Sequence, residues 1–182
     1  MSCTLTLGRK EPCKDTVGGL KAVYFTDFGD YGTVTETDDE ITDMTGTFTA
    51  FKYELKGNSS FEQAITSSRE NGTTFFDQTL TLTLKKLSKE DNKELKLLAY
   101  GRPHVAVEDY NGNVFVMGLQ HGAEVTGGTV STGAAMADLS GYTLTLNAQE
   151  VKPANFVNAP TAADPFAGMA SATVTVTEGT NS

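Results

Sequence analysis

Chemistry at neutral pH needs a base, a nucleophile or a ligand cluster, and few residues of this chain are spaced to supply one. There are two histidines, His104 and His121. Each stands alone on or beside a strand-forming stretch, where a single imidazole reads as hydrogen-bonded structure and not as a general base. Ser131 lies in Gly128-Thr129-Val130-Ser131-Thr132-Gly133, which lacks both the spacing and the strand-to-helix turn that expose a serine nucleophile. No glycine pair is followed by Lys-Ser or Lys-Thr, so the pattern of a phosphate-cradling loop is missing. Glu36, Asp38, Asp39, Glu40 and Asp43 offer hard oxygen ligands for a divalent cation, but without the ligand spacing and central glycine of a calcium loop. They read as a solvated acidic loop. Lys85, Lys86, Lys89, Lys93 and Lys96 are interleaved with Glu90, Asp91 and Glu94, the mark of a solvated helix face. No catalytic residue, cofactor or metal site is therefore expected, and an enzyme is the least favoured class.

The bulk properties narrow the alternatives further. A chain of 182 residues is long enough to bury a core without disulfides or metals. With 38% hydrophobic and 20% charged residues it falls outside the disordered class. A net charge of -9 argues against a surface that grips phosphate backbones, which needs clustered Lys and Arg. No apolar stretch approaches the length that spans a bilayer, and the first residues lack the apolar run of a signal peptide, so a cytosolic, membrane-free protein is expected. Cys3 and Cys13 then read as small packing residues rather than a disulfide. Asn58-Ser59-Ser60 and Asn71-Gly72-Thr73 match the glycosylation pattern but read as turns.

The elements that would position any site are mostly strands, because apolar residues recur with period two. Thr79 to Leu84, Tyr142 to Leu146 and Thr173 to Thr177 alternate strictly. Phe51, Tyr53 and Leu55 alternate with charged residues while Phe48 has the opposite parity, which predicts a bulge or a change of buried face near Thr49-Ala50. Lys21 to Thr26 is a further strand. Two-residue turns at Asn71-Gly72 and Asn111-Gly112 predict hairpins. The first would set Phe61 opposite Leu82 and Ser67 opposite Phe76. The second would set Val107 opposite Val116, with Ala106, Tyr110, Phe115 and Met117 on the reverse face. Both faces of Val114 to Met117 are apolar, so the strand must be covered twice. One helix follows Ser88 as N-cap, with Leu95, Leu98 and Ala99 as its apolar stripe and Gly101 as a left-handed cap before Pro103. The fold class expected is mainly β: two packed antiparallel sheets, as a sandwich or open barrel, with one flanking helix.

Three segments resist regular assignment: a long loop at 29–46, a small-residue excursion at 120–141, and a linker after Lys152 that ends in a short strand. Residues 1–152 form the expected domain, and 153–182 an extension that contacts a neighbouring subunit. The apolar side chains in and around these segments exceed what a lone sandwich can bury, and such surplus usually means a partner. Tyr31, Ile41, Met44, Phe115, Met117, Phe156, Phe166 and Met169 are the candidate subunit interface.

From Lys21 to Lys152, the order of Phe48 to Leu55, the hairpin Phe61 to Leu84, the helix Lys89 to Tyr100, the hairpin Val105 to Leu119 and the strand Tyr142 to Val151 resembles the tube subunit of phage tails and its relative in bacterial secretion tubes. The resemblance implies a tail-tube fold in which two packed sheets with one helix form sixfold rings that stack around a channel. Copies of itself would be the main partner, together with other tail or connector proteins. DNA would pass as cargo without specific binding, and the protein would reside in the virion tail after assembly in the host cytoplasm. Mapped by position, the 29–46 loop resembles the one that reaches the adjacent ring, while the extension after Lys152 leaves open a related ring at the head-to-tail junction. If Glu36, Asp38 and Asp39 face the channel, like-charge repulsion keeps passing DNA off the wall. The rival of another class is a monomeric β-sandwich that binds carbohydrate or decorates a capsid. Absence of any Trp weakens the sugar-binding form of it.

Overall fold

The computed structural model describes residues 7–179, and among them are twelve strands and one helix. In chain order the strands are β1 (Leu20–Thr26), β2 (Val34–Thr37), β3 (Glu40–Met44), β4 (Thr47–Glu54), β5 (Ser60–Ser68), β6 (Thr73–Lys85), β7 (His104–Asp109), β8 (Val114–Met117), β9 (Glu124–Ser131), β10 (Gly141–Glu150), β11 (Asn155–Val157) and β12 (Thr173–Glu178). Helix α1 (Lys89–Tyr100) separates β6 from β7. Eight strands form one sheet in the order β12-β4-β1-β7-β8-β11-β3-β2, and four form a second in the order β5-β6-β10-β9. The chain is thus mainly β, with two packed sheets and one helix. The larger sheet is mixed and not purely antiparallel: β11 runs parallel to β3 and β12 parallel to β4. Both parallel strands come from the segment after Lys152, which returns to the sheet after long excursions, as parallel pairing requires.

A short connection forces the larger sheet to curl. β3 and β4 are joined only by Thr45 and Gly46, which reach roughly 10 Å, yet five strand spacings of about 4.8 Å each separate them in sheet order. The sheet closes on itself until those strands meet. Gly46 is what lets the join pass: its N–H donates to the Tyr31 carbonyl at 3.0 Å, its carbonyl accepts from the Thr173 N–H at 3.0 Å, and a Cβ there would overlap the Asp30 carbonyl oxygen. Inside the curl sits one core, built from Tyr24, Ile41, Met44, Phe48, Val114, Val116 and Val157 and completed by Phe166 and Met169. A second core lies between the outside of the curl and the four-stranded sheet, where Val23, Phe25, Val105, Val107 and Met117 meet Leu80, Leu82 and Leu146. Each fully buried side chain of this size contributes about 1.5–3 kcal/mol.

Strands in the dividing wall feed both cores. β1 sends Ala22 and Tyr24 inward and Val23 and Phe25 outward. β4 keeps unbroken register with β1 and β12, so no bulge interrupts it at Thr49-Ala50. Phe48 and Ala50 enter the first core while Leu55 and Tyr53 enter the second, which is the change of buried face.

Both hairpins form with other registers than a two-residue turn gives. Across β5–β6, Phe61 opposes Leu80 and Ser67 opposes Thr74, a slip of two residues that leaves every side chain on its expected face. Across β7–β8 the slip is one residue: Val107 opposes Phe115 and Ala106 opposes Val116. Phe115 and Met117 therefore share a face with Val105 and Val107, not with Ala106. The cause is Asp109. Its Oδ1 accepts the N–H groups of Asn111 and Asn113, both at 2.8 Å, and its Oδ2 accepts Asn113 Nδ2 at 2.9 Å, which builds a three-residue loop ending in Gly112 at φ 84°.

The helix has its expected bounds, with Ser88 Oγ accepting the Asp91 N–H at 2.9 Å. Its stripe is Leu95 and Leu98 alone, because Ala99 is exposed, and Gly101 is extended at φ -94° instead of left-handed. The Tyr142 hydroxyl donates to the Ser88 carbonyl at 3.1 Å and ties the helix start to the smaller sheet. Cys13 is exposed, so it is not a packing residue, and Cys3 lies outside the described residues.

Candidate functional site

Six of the eight candidate interface residues are enclosed by the chain itself. Tyr31, Ile41, Met44, Phe166 and Met169 lie in the core inside the curl, and Met117 lies in the core between the sheets. The physical reason is the segment after Lys152, expected to leave the domain. It instead supplies β11 and β12 to the larger sheet and turns Phe166 into an aromatic cluster, 5.2 Å from Phe48 and 5.8 Å from Tyr31 between ring centroids. The second cover that the doubly apolar β8 demands is this segment and not a neighbour. Burial pushes the Tyr31 hydroxyl far up, opposed in part by the Thr26 hydroxyl. Phe115 and Phe156 differ from the other six. They pack against each other on the outside of the curl, tilted by 48° with ring centroids 4.6 Å apart, and Phe156 remains 48% exposed.

The 29–46 segment is not a free loop. β2 and β3 make a hairpin whose turn is Asp38-Asp39, with φ of 53° and 62°. Positive φ at both central residues is the turn geometry that matches strand twist, and Asp tolerates it better than most residues. Glu36 is drawn to Lys152, whose Nζ donates to it at 2.5 Å, and that bond with its charge raises the Lys152 pKa. Asp38 and Asp39 line a cleft of about 460 Å³ together with Glu40, Asn113, Val114, Phe156 and Pro160. All three candidate lumen carboxylates thus sit at the β2 edge of the larger sheet. Among the described residues, no group of three or more His, Cys, Asp or Glu is placed to share a metal ion.

Among the described residues, neither edge strand of the smaller sheet has a further strand beside it, and α1 packs near β9. β5 and β9 are nine and eight residues long, and nearly every residue on them is exposed. Ile65 on β5 and Val130 on β9 are apolar yet 68% and 64% exposed. The outer face between these edges carries Thr79, Thr81, Thr83, Thr143 and Thr145, with Glu62, Asp77 and Asn147 beside them. Asn147 Nδ2 donates to Asp77 Oδ1 at 2.6 Å.

Neither histidine stands by a nucleophile. His104 is buried between Phe28 and Tyr31, with ring centroids at 4.9 and 4.5 Å, and the Arg102 guanidinium lies over the Phe28 ring, 4.2 Å from its centroid. Its Nδ1 sits 2.8 Å from the Gly118 carbonyl and its Nε2 accepts the Gly29 N–H at 3.0 Å. This holds the ring in one neutral tautomer. His121 Nδ1 is 3.1 Å from Glu150 Oε2, and the other Glu150 oxygen accepts the N–H groups of Gln120 and His121. Buried Glu108 accepts from the Tyr24 hydroxyl at 2.8 Å and pairs with Lys21. His104, Glu108 and Glu150 are buried polar groups satisfied by their neighbours, the arrangement a folded interior requires, while His121 is exposed.

No family model, no curated protein and no solved structure matches this chain. Its function has to be read from geometry.

Sequence reasoning missed β9, because Gly127 and Gly128 interrupt its alternation, and so missed that the smaller sheet has a second long edge. The signal was Glu124-Val125-Thr126 followed by Thr129-Val130-Ser131, two β-branched runs that pair with β10 on either side of a register shift.

Proposed function

We propose that this chain is a structural subunit that joins copies of itself through the free edges of its four-stranded sheet, making rings that stack into a tube for DNA passage. The observation that carries this reading is the pair of long, unpaired edges β5 and β9. Natural sheets blunt such edges with Lys, Pro or a short length. Neither strand contains Lys or Pro, each presents an exposed apolar residue, and the blunting they do carry is one glutamate apiece, Glu62 and Glu124, with a register shift in β9.

Strand direction supports ring closure. β5, β6, β10 and β9 alternate, so the two edges run in opposite senses. A copy rotated about an axis roughly along the strands brings its β9 antiparallel to the first copy's β5, and the sheet continues without a break. The contact is heterologous, and it closes when the rotation divides the circle. Sixfold closure is what the resemblance to tail-tube subunits implies. The wall of such a ring would be the threonine-rich outer face, carrying Glu62 and Asp77 in place of Glu36, Asp38 and Asp39. Hydroxyls and carboxylates offer passing DNA no cation to hold it. A terminal ring at the head-to-tail junction would use the same edges.

A solitary binding or capsid-decorating module is the second reading, favoured by the burial of Tyr31, Ile41, Met44, Phe166 and Met169 inside one chain. Mass photometry and negative-stain microscopy separate the two. Rings or tubes are expected for the native protein, with seeding if needed. Ile65→Lys or Val130→Lys should raise the concentration needed for assembly by about tenfold or more. Because both side chains are exposed, monomer stability should move by only about 0.5 kcal/mol. Monomers at every concentration, seeded or not, would end the ring reading.

A further inference from the structure

We infer that the cleft beside the β2–β3 turn receives the N-terminal arm of a second copy of this chain, an inference that rests on the self-assembly reading above. Half-exposed Phe156, with Ala159 and Pro160, gives the cleft its apolar floor, Asp38, Asp39 and Glu40 give it an acidic rim, and Val114 and Val157 back it from the core. No cation lines it, and the nearby Lys152 is held by Glu36. An apolar floor with an acidic rim fits an extended segment that carries both apolar and basic side chains.

Residues 7–19 form such a segment. Every one of them is exposed, and none is in a helix or strand. Arg9, Lys10 and Lys14 against Glu11 and Asp15 give the arm a net charge of +1 (three minus two) on a chain of -9. Leu7 stands 92% exposed beside the two foremost cations. An arm that buries nothing on its own body gains nothing from being ordered there.

The root of the arm argues for a neighbour's cleft over its own. Val17 is clasped by Asn111, with Val17 N–H donating to Oδ1 at 3.0 Å and Nδ2 donating to the Val17 carbonyl at 2.8 Å. Gly112 and Asn113, next in sequence to Asn111, already line the cleft. Arg9 and Lys10 lie eight and seven residues before this clasp, and Pro12 favours an extended chain between. None of residues 7–19 lines the chain's own cleft, and that stretch reaches up to roughly 25 Å when extended, far enough for the cleft of a neighbouring copy.

The arm's own Cys13 provides the test. In a Cys3→Ser background, one preparation keeps Cys13 and a second carries Cys13→Ser with Pro160→Cys on the cleft; the two are mixed with a short bismaleimide. The expected product is a covalent heterodimer, formed about tenfold faster than when the second cysteine is placed by Thr132→Cys on the β9–β10 loop. Asp38→Asn with Asp39→Asn should reduce that rate about tenfold, since Asn keeps the left-handed turn and removes the charge. Raising salt should do the same. Cross-linking no faster than the control overturns the inference, as does equal yield within one chain carrying both cysteines. Microscopy of the same mixture separates the two ideas. Rings without heterodimer sink the arm contact and leave edge assembly standing; heterodimer without rings supports the arm contact and sinks the ring.

Discussion

His104 shows how burial sets the charge of one side chain and, through it, the response of the fold to acid. Burial pushes its pKa below the ordinary value of about 6.5, opposed by the hydrogen bond to Gly118 and by the charges of Glu150 and Asp30. The folded chain therefore binds this proton less readily than the unfolded chain. From pH 6.5 down to the lowered folded value, the unfolded state carries more protons, so stability falls as pH falls; above 6.5 the contribution is complete. Denaturant midpoints measured from pH 7.5 to pH 5 should decline in the native protein. His104→Asn should be weaker at pH 7.5 by about 2–3 kcal/mol, through lost hydrogen bonds and stacking, but flatter across the same range. Equal slopes in both proteins would show that other groups set the acid response. That His104 is structural was legible from its isolation in the sequence. Its ring stack was not, because Phe28 and Tyr31 lie in the β1–β2 connection and only the folded sheet brings that connection onto His104.

Among the elements, the β3–β4 join and the β7–β8 loop decide most of the geometry. Gly46 threads between the backbone at Asp30 and the start of β12, and any Cβ there must displace main chain. Gly46→Ala should cost roughly 3 kcal/mol or more, read as a lowered melting temperature with the sheet content retained. An unchanged melting temperature would mean that the closure is looser than described. The β7–β8 loop teaches a different lesson. Asn111-Gly112 signalled a hairpin correctly, yet the acceptors of Asp109 lengthened the turn by one residue and turned Phe115 and Met117 to the other face. At β5–β6 the slip of two residues changed nothing about the faces. Parity, not exact pairing, is what alternation reveals. The helix was readable almost to the residue because Ser88 and Pro103 bound it, and local capping needs no tertiary information.

For the molecule as a whole, the segment after Lys152 settles how much surface is left for partners. It supplies two strands and three buried core side chains, Val157, Phe166 and Met169, so the larger core cannot close without it. Removing residues 153–182 should leave a chain that exposes Ile41, Met44 and Phe48, binds a hydrophobic dye and loses its cooperative thermal transition. A truncated chain that melts cooperatively would show that the extension is dispensable to the fold. The surplus of apolar residues that suggests a partner is therefore smaller than composition alone implies; what remains exposed includes Ile65 and Val130 on the free edges and Phe156 in the cleft, with Leu97, Tyr100 and Met136 elsewhere. Taken alone, the sequence determined the class of the fold, its principal strands and its helix, because period and capping are local properties carried by neighbouring residues. Only the tertiary structure decided which apolar faces the chain covers itself, since β11 and β12 reach the larger sheet through non-local parallel pairing that no local pattern records. The same closure left β5 and β9 as the long edges open to a partner, a property of strand order and not of any single strand.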